Sequence, residues 1–221
     1  MTDLRLVIFD VDGTLVDSQA EIMAAMARAF AAEDLPTPDR AQVLSIIGLS
    51  LPEAFAVLCP QASAAQQTRL VAGYKDAYVA LRAEDQELGP LFDGAKQVLE
   101  TLRAQDHTFL AVATGKSRRG LDKVLARHGL TGWFHSEQVS DNHPSKPHPS
   151  MIHTALADTG VATDRAVMIG DTTFDMDMAR AAGVRTIGVS WGYHDAQTLC
   201  ADVMLDDFAA LPAAINALIG A

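Results

Sequence analysis

"LRLVIFDVDGTLVDS", residues 4–18, decides how the chain is read. It begins as a short apolar run, Leu4 to Phe9, and stops abruptly at Asp10. Four later stretches have the same character: TFLAVATG (108–115), AVMIGD (166–171), RTIGVS (185–190) and ADVMLD (201–206). None alternates cleanly between polar and apolar residues. Continuous apolar runs suit strands covered on both faces, as in a parallel sheet. Helical patterns lie between them, at 94–105, 117–128, 149–159 and 174–182. Strand alternating with helix implies right-handed crossovers and an α/β fold built on a doubly wound parallel sheet.

The stretch from 18 to 83 breaks that rhythm and contains no convincing strand. Residues 19–32, 40–47, 52–58 and 64–81 look helical, joined by DLPTPD (34–39) and by 59–63. An all-helical insert directly after the first strand reads as a second, capping domain. The division expected is a catalytic core of 1–16 plus 86–221 and a helical cap of 17–85, with EDQELGP (84–90) as a hinge.

The chain has 221 residues, enough for one domain with an insertion. A net charge of −11 weighs against nucleic-acid binding, which needs a basic footprint. Cys59 and Cys200 lack metal-ligand spacing and read as free thiols. The N-terminus does not look like a signal peptide, and no apolar run is long enough for a membrane span. A cytoplasmic protein, monomeric or homodimeric, with no membrane partner is expected.

Ligands of open α/β sheets bind beyond the C-terminal ends of the strands. The polar residues ending the strands therefore converge: Asp10 and Asp12, then Thr114 and Gly115, then Asp171 with Asp175 one turn later, and Lys146 in the connection before Asp171. Asp10 and Asp12 are two apart, so extended backbone would aim both the same way. Like charges that close raise each other's pKa unless a cation intervenes. Four carboxylates from two segments make a hard oxygen site suited to Mg²⁺. An ionised Asp10 could attack phosphorus without a base to activate it. Asp12 could protonate the leaving alcohol and then deprotonate water. The Thr114 hydroxyl and Gly115 N–H would hold phosphoryl oxygens, and Lys146 would balance the transition-state charge.

DVDGT (10–14), ATG (113–115), SKPHP (145–149) and GDTTFD (170–175) resemble, in order, the four motifs of the haloacid dehalogenase superfamily. The insert resembles that family's small α-helical cap. GTLVDSQAEI and GDTTFDMDMARAAG are most similar to its phosphoglycolate-phosphatase-like branch. The resemblance implies an Mg²⁺-dependent phosphatase acting on a small phosphorylated metabolite through an aspartyl-phosphate. It implies Asp10 as nucleophile, Asp12 as acid/base, and metal binding by Asp10, the Asp12 backbone carbonyl and Asp171, with Asp175 in support. Relatives often carry Asn where Gly115 stands. Ile46–Leu51, IIGLSL, is the candidate specificity loop.

Several weaker readings stand beside this one. TGKS (114–117) mimics a phosphate-binding P-loop, but Leu110 occupies the position that loop reserves for glycine. Lys116 could still add positive potential. His143, His148 and His153 are spaced by five with prolines between them, a poor zinc pattern. Ile22, Met23, Met26, Ala29 and Phe30 form an apolar stripe expected to be cap core. Thr114 is also a helix N-cap candidate, and Asp17 is expected to cap the first cap helix. A β-phosphoglucomutase shares all four motifs and is the nearest rival. A dehalogenase lacks the second acid, and a phosphonatase needs a cap Schiff-base lysine where only Lys75 is found. A non-enzymatic phospho-acceptor of receiver type would be about half this length, without the insert.

Overall fold

The structure, a computed structural model, describes residues 4–84 and 89–220, apart from the side chains of Arg82 and Glu84. Residues 85–88 of the expected hinge, with the domain boundary drawn at 85/86, lie outside the described residues. Six strands form one sheet: β1 (Arg5–Phe9), β2 (Thr108–Thr114), β3 (Ser136–Val139), β4 (Ala166–Gly170), β5 (Arg185–Val189) and β6 (Val203–Leu205). Their order is β3-β2-β1-β4-β5-β6 and every neighbouring pair is parallel. The chain winds outward from β1 in one direction and resumes at β4 in the other. The reversal puts the topological switch point between β1 and β4.

Alternation along β1 explains the two-faced burial. Val7 and Phe9 point into one layer with Leu110, Val112, Val167 and Ile169. That layer is closed by α5 (Ala95–Arg103), α6 (Arg118–His128) and α9 (Leu211–Ile219), through Leu99, Leu121 and Ile215. Leu6 and Ile8 point the other way, with Ala111, Ala166 and Met168, against α7 (Ser150–Thr159) and α8 (Thr173–Ala182). Both faces of β1 are wholly buried. At roughly 25 cal/mol per Å² of apolar surface, this burial is the main stabilising contribution of the core.

Between β1 and β2 the chain makes the all-helical excursion: α1 (Gln19–Ala32), α2 (Arg40–Leu44), α3 (Leu51–Leu58) and α4 (Ala64–Glu84). Its apolar centre is its own. Ile22, Met26, Ala29 and Phe30 from α1 meet Phe55 from α3 and Leu70 and Tyr74 from α4. Phe30 and Phe55 stack at 6.0 Å, and Phe55 meets the edge of Tyr74 at 6.1 Å. The stripe expected to be cap core is therefore there, with Met23 only partly buried.

Helix ends correct two expectations. Thr114 does not cap α6; Ser117 does, its Oγ accepting from the Gly120 N–H at 3.2 Å. Ser18, not Asp17, is the N-cap residue of α1, and its side chain does not bond the helix. Asp17 instead takes the Gln19 N–H in a long contact of 3.4 Å. Cys59 and Cys200 are free. No helix among the described residues is long and apolar enough to cross a membrane.

Candidate active site

Asp10 leaves β1 at the switch point. Its N–H donates to the Ile169 carbonyl at 2.9 Å, which holds the end of β1 beside that of β4. Asp171 follows β4 directly, so the two carboxylates face each other across adjacent strand ends. Asp175 is set by local helix chemistry. Thr172 caps α8 in a capping box, its N–H and hydroxyl donating to Asp175 Oδ2 at 3.1 and 2.7 Å. That leaves Asp175 Oδ1 to Lys146, whose Nζ lies 2.6 Å away. The same ammonium sits 2.8 Å from Asp10 Oδ1, off hydrogen-bond geometry, so this second pairing is Coulombic.

Three carboxylates and one ammonium are thereby taken out of water, each about 1 % exposed or less. One cation does not balance three anions, and burying an unpaired charge is costly. Burial first, then Asp175 and Asp12, push the Asp10 carboxyl up to about 7 against the pull of Lys146. Asp171 is raised well above the usual range by burial, Asp10 and Asp175. Burial alone would lower the Lys146 ammonium, but Asp10 and Asp175 outweigh it and raise it. Asp171 is held by the Thr14 hydroxyl at 2.7 Å on Oδ1 and the Tyr193 N–H at 2.9 Å on Oδ2.

The donor set fits a hard divalent cation. Asp10, Asp171 and Asp175 each offer a carboxylate oxygen, and the three oxygens lie within 4.8 Å of one another. Both oxygens of Asp10 are buried and accept no hydrogen bond. Oxygen ligands in this number, beside a site open to water and substrate, are what Mg²⁺ accepts.

The Asp12 side chain does not join them, which corrects the four-carboxylate reading. Past the end of β1 the chain turns rather than continuing extended, and Leu15 and Val16 both donate to the Val11 carbonyl at 2.9 Å. The two aspartates thus take different surroundings. Asp12 Oδ1 lies 2.8 Å from Lys116 Nζ and accepts from the Ser18 hydroxyl. Tyr193 extends this cluster: its hydroxyl accepts from the Ser18 N–H at 2.8 Å. Lys116 also lies over the ring of Tyr78, 5.3 Å from its centroid. Thr114 is buried, and its Oγ1 accepts from the Lys116 N–H at 3.2 Å. Thr14, Ser18, Lys116 and Tyr193 were missed or undervalued as contributors. Thr14, within DVDGT, and Lys116, next to Thr114 and Gly115, carried a local signal. The histidines do other work: the His143 ring bonds Ser150 and Gln138, each at 2.8 Å.

The insert closes over these groups chiefly through residues 46–51. Gly48 has φ +104, a backbone region that favours glycine. A side chain at Gly48 would meet Thr172 Oγ1 at 3.1 Å, and one at Gly115 would meet the Gly48 and Leu49 carbonyls at 2.6 Å. The Ser50 N–H donates to Ser145 Oγ at 2.8 Å. One loop of the insert thus touches all three later core segments. Beneath it lies a cavity of about 730 Å³, reached by Asp10, Asp12, Thr114, Gly115 and Lys116.

Comparison with known proteins agrees with this geometry. The family model of haloacid dehalogenase-like hydrolases matches residues 7–189. The chain is 36% identical over 221 residues to a protein named probable phosphatase IndB from Dickeya dadantii, covering 97% of this chain and 94% of that one. It is 31% identical over 218 residues to a phosphoglycolate phosphatase of Agrobacterium fabrum, covering 95% and 91%. A haloacid dehalogenase-like hydrolase from Streptococcus pneumoniae superimposes with a TM-score of 0.82 at 28% identity, over 97% of this chain and 99% of that one.

Proposed function

Since the chain belongs to the haloacid dehalogenase-like hydrolases, we propose that it hydrolyses a phosphate monoester by Mg²⁺-dependent, two-step transfer through Asp10. The observation that carries this reading is the environment of Asp10. Its carboxylate lies at the base of the cavity, with both oxygens unclaimed by hydrogen bonds and a lysine 2.8 Å away.

In the first step an Asp10 oxygen attacks phosphorus and the ester P–O bond breaks. Asp12 gives its proton to the departing alcohol. Outside the buried acidic cluster, and held by Lys116 and Ser18, its carboxyl is free to face the leaving group rather than the metal. In the second step a water attacks the aspartyl phosphate, Asp12 accepts the proton, and inorganic phosphate leaves as Asp10 is regenerated. The Thr114 hydroxyl and the Gly115 N–H hold the oxygens that do not transfer. Lys146 offsets the charge that grows on them. Asp10, Asp171 and the Asp12 backbone carbonyl, with Asp175 in support, would hold Mg²⁺, which would supply further neutralisation of the phosphoryl group when bound. Residues 17–85 serve as the cap that excludes water and selects the alcohol, on the core of 1–16 and 86–221.

The name of the Agrobacterium relative makes phosphoglycolate the first ester to assay. Asp10→Asn should abolish phosphate release while leaving the circular dichroism of the fold unchanged. EDTA should silence the wild-type protein and added Mg²⁺ restore it. Near-normal turnover by Asp10→Asn would refute the nucleophile, and indifference to EDTA would refute the metal.

A further inference from the structure

The cavity is far larger than a phosphoryl group and a two-carbon acid require. About 730 Å³ is room for roughly two dozen waters at about 30 Å³ each. Its chemistry is divided. The core supplies polar groups at one end, whereas the insert supplies an apolar wall in which Leu49, Leu51, Tyr78 and Val79 keep accessible surface, backed by the buried Ile46 and Tyr74. All but Val79 belong to or pack on the insert's own apolar centre, so the wall is continuous with that core. A two-carbon acid phosphate would cover little of the surface that Leu49, Leu51, Tyr78 and Val79 present to the cavity.

The charges around the opening are mixed and do not decide the alcohol; the apolar wall does. A phospho-acid needs a cation for its carboxylate. Lys116 is engaged by Asp12 at 2.8 Å. Three other cations line the cavity, Lys75, Arg119 and Lys123, and three carboxylates line it beside them, Glu53, Asp76 and Asp141. That rim is neutral by count, though among the described residues none of these three cations is ion-paired with one of these carboxylates.

We propose, resting on the phosphatase reading above, that the substrate is a monophosphate ester whose alcohol half is bulky and mostly apolar, aromatic or branched aliphatic. The phosphoryl group meets Asp10, Thr114 and Gly115, and the alcohol fills the space under residues 46–51 against α1 and α4. Burying the apolar half displaces water from methyl and ring faces, and binding energy gained away from phosphorus can be used at the reacting centre. An alcohol too small to touch the wall forgoes it.

The test is steady-state hydrolysis of ethyl phosphate, 2-phenylethyl phosphate, cyclohexylmethyl phosphate and phosphoglycolate by the full chain with Mg²⁺. The first three share a primary-alkyl leaving group, so differences among them report the pocket rather than bond reactivity. The two bulky esters should exceed ethyl phosphate in kcat/KM by about tenfold or more, and exceed phosphoglycolate. Val79 lines the cavity and is 36% exposed, so Val79→Trp can fill the space without disturbing the insert's centre. It should lower the ratio of bulky to ethyl turnover at least threefold.

A preference for phosphoglycolate, or equal rates for ethyl and phenylethyl phosphate, overturns the proposal while leaving the phosphatase reading intact. If no ester is hydrolysed, that reading fails, and calorimetric binding to Asp10→Asn decides the pocket. Tenfold tighter binding of phenylethyl than ethyl phosphate upholds the apolar site, and equal binding overturns it.

Discussion

The sheet and the helical insert solve opposite problems. The sheet must gather charge, and it does so with backbone. Asp10 and Asp171 are held side by side because β1 and β4 are hydrogen-bonded neighbours, in register from Leu6 opposite Ala166 to Phe9 opposite Ile169. The insert must gather apolar surface, and it does so with side chains from four helices around Phe55 and Leu70. One region places a few named atoms by backbone pairing, and the other offers a wall whose members share the task. Reactivity therefore rests on single residues of the core, and selectivity is spread across the insert.

The comparison breaks if a core residue can be lost cheaply. Lys146→Met removes the one ammonium among three buried carboxylates. It should lower kcat about 10²–10³-fold, in line with losing one preorganised electrostatic group. It should also destabilise the metal-free protein by roughly 3–5 kcal/mol, since the carboxylates left behind are buried. Denaturant melts should show saturating Mg²⁺ returning part of that loss. A drop in kcat of less than threefold would mean the ammonium neutralises nothing that matters.

A second expectation concerns pH. Asp10 has its carboxyl raised from 3.8 to about 7, with burial the largest cause. A raised acid binds its proton more tightly folded than unfolded. It therefore stabilises the fold below about pH 4, and that contribution is lost as pH rises to about 7. The metal-free protein should show a falling Tm across that window, and Mg²⁺ should flatten the fall by binding the ionised carboxylate. A metal-free Tm that climbs steadily from pH 4 to 7 would contradict it.

Gly115→Asn sharpens the contrast from the other side. The new Cβ would press on the Gly48 and Leu49 carbonyls, so residues 46–51 must lift. KM for the preferred ester should rise about tenfold with kcat changed less, because the Gly115 N–H survives the substitution. A fall in kcat at constant KM would place the effect in the chemistry instead.

The core was legible because its signals are local. LRLVIFD, TFLAVATG and AVMIGD each hold a strand and its site residue in one stretch. Two elements escaped. β3, with the sequence SEQV, is an edge strand of four residues with no apolar run, visible only as the partner of β2. In α9, Pro212 reads as a helix breaker, yet it stands in the first turn, where proline is tolerated. The insert's helices were legible from periodicity, but their contacts were not. Nothing near Ser18 or Tyr193 in sequence announces that both gather at Asp12 from 175 residues apart. The same holds for the meeting of Ser50 with Ser145, 95 residues on.

The approach of the Gly48 and Leu49 carbonyls to Gly115 has an evolutionary corollary. A larger residue in the second core motif and a shorter or straighter cap loop are not independent changes. Either alone leaves a clash or a gap, so drift toward a new substrate would travel through paired replacements at 48–49 and 115. Variant libraries that randomise the insert while holding Gly115 constant would sample only the half of that landscape in which the loop lies flat on the core.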